Sequence, residues 1–274
     1  MISTIWLYAA IFAVIFIILR LVLGKFNPAA GGMAKKIYSQ MEQLYSGRHE
    51  YRLARPEDFP HIQRAHYDIC EAWLKERGFR TLGNIEDLVL TKVYPNTRTY
   101  LRAFVSADGT IAAACYDVSP TGWMRLAKLA GLMESNYRTL EFESEFQNGT
   151  FLRTSNAKGR QQLDEPPSIT QNLLPPNTPF EEILEQHVQV MKEWRATDEA
   201  FTPIICKTLD DVLQSQHRAM DITCAWRKEI GYLTREEMVR MAGPSGQNMV
   251  DKIMRDVEAI HRKKNPGPPP VPRR

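Results

Sequence analysis

The first twenty-three residues constrain this chain more than any other stretch. Residues 5–19 (IWLYAAIFAVIFIIL) carry no charge, and a single Arg20 is followed by Leu21, Val22 and Leu23 before Gly24. Counted from residue 2 to residue 23, about 22 residues at roughly 1.5 Å rise reach about 33 Å, enough for a hydrocarbon core of about 30 Å. Arg20 stands near the end of the run, where its guanidinium reaches the headgroups while its methylenes stay in lipid. A buried core helix seldom runs past about fourteen apolar residues. A cleaved signal peptide has a positive stretch ahead of its apolar run, and residues 1–4 contain no Lys or Arg. Only the small residues Ala29, Ala30, Gly31 and Gly32 suit cleavage. The expectation is a retained transmembrane anchor over residues 1–24. Arg20, Lys25, Lys35 and Lys36 lie on its C-terminal side. The positive-inside rule therefore places a short N-terminus outside the cell membrane and the bulk of the chain in the cytoplasm.

The remainder has an ordinary globular composition, 43% hydrophobic and 24% charged. A net charge of +3 is too small and too dispersed to predict a nucleic-acid partner. The expected partners are the bilayer, through the N-terminal helix, and a membrane-associated protein. Cys70, Cys115, Cys206 and Cys224 are widely spaced, which fits buried free thiols in a reducing compartment and neither a disulfide scaffold nor a spelled-out zinc module. Asn148-Gly149-Thr150 matches a glycosylation sequon that a cytoplasmic domain would not expose to the modifying machinery.

Residues 25–32 (KFNPAAGG) form a short linker. Residues 33–45 repeat apolar side chains at Ile37, Met41, Leu44 and Tyr45, a helical spacing. A second helix is expected after Asp58, with Pro60 in its first turn and a stripe of Ile62, Ala65, Ile69, Ala72 and Trp73. The period then changes to two. Asp108-Gly109 divides residues 99–107 from 110–118, a hairpin signal that sets Leu101 opposite Tyr116, Ala103 opposite Ala114 and Val105 opposite Ala112. Asn148-Gly149 divides 137–147 from 150–155 in the same way, pairing Phe146 with Phe151. Glu141, Glu143 and Glu145 alternate there with apolar residues, which predicts an antiparallel sheet with one solvated, acidic face. Residues 122–133 read as a short helix or connector, and residues 169–174 as an edge strand between prolines. Three capping boxes follow, at Thr178/Glu181, Thr208/Asp211 and Thr234/Glu237; the last predicts a short helix ending near Gly243, ahead of a final helix over 246–264. The fold class is thus α+β: an anchor (1–24), a linker (25–32), a cytoplasmic domain (33–265) and a Pro-rich basic tail (266–274). Within the domain, 33–175 holds the sheet and 176–265 is mainly helical.

Catalytic equipment is not spelled out. There is no phosphate loop, no G-x-G-x-x-G, no H-E-x-x-H and no G-x-S-x-G. His66 with Cys70, and His217 with Asp221, each put two metal-ligand types four residues apart on a helix, but each is half a site, so no metal, cofactor or catalytic residue is assigned. Residues 51–60 (YRLARPEDFP) resemble the opening strand and helix of GNAT acetyltransferases. That resemblance implies a [Q/R]-x-x-G-x-[G/A] pyrophosphate loop following the central hairpins. The only approach, Arg80 to Ile85 (RTLGNI), ends in a bulky residue and precedes them, so the resemblance is carried no further. The tail contains P-x-x-P-x-R, a pattern that suits proline-recognition grooves. The expected function is interaction, scaffolding or sensing at the cytoplasmic membrane surface; the alternative is a membrane-tethered enzyme acting on a small-molecule or lipid-proximal substrate.

Overall fold

Two hairpins form the centre of a seven-stranded sheet. In the computed structural model, residues 30–60, 62–93, 99–118, 137–159 and 163–266 are described. β3 (Leu101–Val105) and β4 (Ala112–Val118) pair antiparallel in the register expected from their alternation, Leu101 opposite Tyr116 and Ala103 opposite Ala114. β5 (Tyr137–Glu145) and β6 (Phe151–Ser155) form the second hairpin, and β5 lies against β4.

Neither turn is the expected two-residue type. Only the glycines are left-handed, Gly109 with φ 78° and Gly149 with φ 77°, while Asp108 and Asn148 are not among the positive-φ residues. The reason lies in two side-chain oxygens. Asp108 Oδ1 accepts from Thr110 N (3.1 Å) and Asn148 Oδ1 from Thr150 N (3.0 Å), Asx arrangements that leave φ reversal to the glycine. The first loop closes between Ser106 N and Ile111 O (2.8 Å), the second between Phe146 N and Thr150 O (2.9 Å). Phe151 consequently faces Glu145 and not Phe146. A slip of one residue exchanges the faces of a strand.

β1 (Tyr51–Leu53), β2 (Arg80–Asp87) and β7 (Ile169–Leu173) complete the sheet in the order β1-β2-β3-β4-β5-β6-β7. Neighbours are antiparallel except β6 and β7, which are parallel. The sheet is therefore mixed, a correction to the antiparallel expectation. Residues 156–168 separate the two strands, a span that suits a crossover better than a tight turn. β7 is the edge strand the prolines implied.

Helices cover both faces. α1 (Ala30–Leu44), α5 (Leu209–Glu229) and α6 (Arg235–Lys264) pack on the face that carries Ile85, Leu101, Ala103, Ala114 and Tyr116. α2 (Arg64–Glu76) and α4 (Phe180–Thr197) pack on the face of Phe104, Ala113, Cys115, Leu140 and Phe142; α3 (Leu88–Val93) follows β2. Alanines 103, 113 and 114 stand among the bulkier Leu101, Tyr116, Phe104 and Phe142 on these faces. Residues 30–32, expected in the linker, already belong to α1.

α2 departs from expectation in phase. Pro56–Asp58 form a 3-10 turn and the helix begins at Arg64, with His66, Tyr67, Cys70 and Leu74 buried. Ile69, expected inside, is 61% exposed. A shift of the stripe by one residue is a rotation of about 100°. Tyr67 justifies it by filling the sheet side and donating its hydroxyl to Tyr100 O (3.0 Å).

The boxes at Thr208/Asp211 and Thr234/Glu237 form with both reciprocal bonds, whereas Thr178 makes no cap and Pro179 occupies the N-cap of α4. α6 runs unbroken through residues 243–246, where a break was expected. Pro244 costs about 3 kcal/mol in a helix interior. Met238, Met241, Val250, Ile253, Met254 and Val257 nevertheless keep one helical phase and are all buried, and burying each such side chain contributes roughly 1.5–3 kcal/mol. Among the described residues no helix is long and apolar enough to cross a membrane. The anchor (1–24), residues 25–29 of the linker, the segment 122–133 and residues 267–274 of the tail lie outside the described residues.

Candidate functional site

Two buried polar clusters flank the sheet. On the α2 side, helical spacing puts His66 and Cys70 on one face, and β4 presents Cys115 toward them. The Cys115 Sγ lies 3.5 Å from His66 Nε2; Cys70 Sγ lies 3.6 Å from Nδ1 and 3.9 Å from Nε2. His66 Nε2 is also 3.1 Å from the Tyr116 carbonyl oxygen. All three side chains are buried, and one ligand atom from each lies within 4.8 Å of the others. Arg102, directly opposite Cys115 on β3, is tied to Glu71 (2.5 Å) and Asn84 (3.0 Å). The hydrogen bond with Cys115 brings the Cys70 thiol down to about 6, against the opposing effect of burial, with His66 and Arg102 adding in the same direction. The sequence exposed the His66/Cys70 pair but not its third member. Cys115 was legible in principle, since the hairpin register that sends Tyr116 to one face sends Cys115 to the other.

On the α5 side, Glu141, Glu143 and Glu145 form a row that is buried, not solvated as expected. The correction has a clear cause: α5 and β6 supply partners. Arg153, opposite Glu143 on β6, donates to Glu143 (2.6 Å) and Glu165 (3.1 Å). Gln216 donates to Glu143 (2.7 Å), and Arg218 grips Glu145 with two bonds of 2.6 and 2.7 Å. Glu141 accepts from the Tyr116 hydroxyl (3.2 Å). Burial pushes the Glu141 carboxyl up to about 8, opposed by Arg153 and reinforced by Glu143. Burial works against the Arg153 charge, yet Glu143, Glu165 and Glu141 outweigh it and raise its affinity for the proton.

The other sequence candidates do not assemble into sites. His217 bonds the His49 carbonyl (3.1 Å) and stacks on Tyr51, while Asp221 takes a two-armed bond from Arg48. Residues 80–85 lie within strand β2, so no phosphate loop stands there. His187 sits between Ser144 Oγ (3.1 Å) and Thr154 Oγ1 (2.9 Å). Ser144 hydrogen-bonds the Thr110 carbonyl (2.8 Å), so its proton is directed away from the imidazole. Burial brings His187 down to about 3, the behaviour of a neutral, satisfied core histidine. No protein-family model matches the sequence, and no curated protein or solved structure matches it.

Proposed function

We propose that the chain is a single-pass membrane protein whose cytoplasmic α+β domain serves as an interaction or sensing module at the membrane surface. The observation that carries this reading is the apolar run over residues 2–23 with Arg20, Lys25, Lys35 and Lys36 behind it. Further support comes from the way polar chemistry is used in the described residues. Arg153, Arg227, Glu237, His49, Asp87 and His187 are buried, and each makes ion-pair or hydrogen-bond contacts that tie one element to another. Groups spent in this way hold the domain together and are closed to a diffusing substrate.

The enzymatic alternative has one observation in its favour. A hollow of about 350 Å³ opens where α5 meets α6, lined by Glu229, Arg235, Glu258, His261 and Arg262 among others, within the range of small-molecule sites.

A chain beginning at residue 30 tests the reading. Checked for folding by circular dichroism and returned to cells lacking the full-length protein, it should fail to restore function, and an unrelated transmembrane helix fused ahead of residue 30 should restore it. A short tether holds a domain at effective concentrations of about the millimolar range against membrane-bound partners. Full rescue by the untethered form would instead favour the diffusible enzyme.

A further inference from the structure

We propose that His66, Cys70 and Cys115 bind a thiophilic divalent metal ion, of which zinc is the type, between α2 and the centre of the sheet. The centre is independent of the membrane reading and would exist with or without an anchor.

The distances carry the assignment. For Zn–S of about 2.3 Å and Zn–N of about 2.05 Å at a tetrahedral angle, a sulfur and a nitrogen ligand stand about 3.6 Å apart. His66 Nε2 is 3.5 Å from Cys115 Sγ and 3.9 Å from Cys70 Sγ, so both sulfurs stand near the spacing a shared ion imposes on that nitrogen, and one donor atom from each residue lies within 4.8 Å of the others. The Tyr116 carbonyl, 3.1 Å from the same nitrogen, accepts its hydrogen bond in the metal-free chain and is freed as an oxygen donor when an ion takes that nitrogen.

Chemistry narrows the class. Two thiolates and an imidazole are soft-to-borderline donors that select zinc-like ions over magnesium or calcium. Charge narrows it again. Cys70 and Cys115 are wholly buried and His66 nearly so. Two thiolates, a neutral imidazole and a divalent ion sum to zero, whereas a monovalent ion would leave a buried negative charge, which is costly. Binding is balanced by the loss of both thiol protons: M²⁺ enters, two Cys–S–H bonds break, two M–S bonds form, and two H⁺ leave to solvent. The ligands come from elements that meet only in the folded domain. A helix contributes His66 and Cys70, and a strand contributes Cys115, so the ion would fasten α2 to β4.

The test uses the full-length protein in detergent, with Zn²⁺ and then Co²⁺ as probes. Metal analysis after dialysis should give one zinc per chain, with at least one proton released per ion taken up by the metal-stripped protein. Cobalt should show an intense thiolate-to-metal charge-transfer band and four-coordinate d–d absorption. Cys115→Ser and His66→Gln, checked for folding by circular dichroism, should lose the stoichiometric ion and that band, while Cys206→Ser keeps both. The proposal is overturned if the wild-type chain retains no zinc and gives no charge-transfer band. It is equally overturned if the band survives Cys115→Ser, or if peptide mapping of the protein isolated without reductant shows that Cys70 and Cys115 form a disulfide. Should the ligand variants fail to fold, the wild-type stoichiometry, proton count and cobalt spectrum decide the matter alone.

Discussion

Glu141 is the residue at which burial and charge conflict most directly. Its carboxyl is pushed up to about 8 by burial, with Glu143 and Arg153 as charged neighbours and Tyr116 as hydrogen-bond donor. A carboxyl raised in the folded state favours folding below its unfolded value of about 4.3, and that contribution is lost as pH climbs toward the folded value. Between pH 5 and pH 8 the wild-type chain should therefore lose stability at this site, by at most a few kcal/mol, since each unit crossed is worth about 1.4 kcal/mol. Glu141→Gln keeps an acceptor for Tyr116 and removes the titration. Urea midpoints for both forms should diverge in favour of the glutamine variant as pH rises over that window; parallel curves would refute the buried, protonated state. Arg153 behaves in the opposite way. Arg153→Met takes the counter-charge from Glu143 and Glu165, and breaking a buried pair from one side costs about 3–5 kcal/mol, so a large drop in midpoint is expected, or failure to fold. None of this was legible in the strand pattern. Alternation told that the three glutamates share a face, but whether that face meets water depends on Arg153 across the hairpin and on Gln216 and Arg218, which arrive from far along the chain.

At the scale of elements, the two turns make a paired comparison. Both glycines are left-handed, so either Gly→Ala change incurs backbone strain of about 1–2 kcal/mol. A Cβ at Gly149 meets nothing within 4 Å, whereas one at Gly109 would lie 2.6 Å from the Cys206 carbonyl oxygen and 2.8 Å from Ile205. Gly109→Ala should accordingly destabilise distinctly more than Gly149→Ala, by thermal midpoint in otherwise identical chains, and equal losses would contradict the packing of residues 205–206 over the first turn. The capping boxes give a milder prediction: Thr208→Ala removes the bond to Asp211 N (3.1 Å) and should cost about 1 kcal/mol. Local chemistry of this kind was readable in advance. So was the register of β3 against β4, because Asp108-Gly109 marks the turn between them. The phase of α2 was not, since Ile69 and Tyr67 both offer apolar surface and only the Tyr100 carbonyl across the sheet decides between them. The continuity of α6 was hidden for a related reason, as Gly243, Pro244 and Gly246 signal a break that the buried stripe against α1 overrides.

For the whole molecule, the division of labour between the two faces is the main result. α1, α5 and α6 close one side over charges that are paired and buried; α2 and α4 close the other over aromatics and the thiol–imidazole cluster. The cluster was half visible in sequence, as His66 and Cys70 four apart, and its completion by Cys115 required the sheet. α1 begins only a few residues after the apolar run, so the proposed anchor would hold this domain against the headgroups, with Lys35 and Lys36 exposed on its first helix. Membrane tethering is the central claim, and sealed vesicles from cells expressing a C-terminally tagged full-length chain test it most directly. The protein should stay in the pellet through alkaline carbonate extraction, and the tag should be cleaved by protease added to the cytoplasmic side alone. Release into the carbonate supernatant, or a tag protected until the opposite side is opened, would contradict the account.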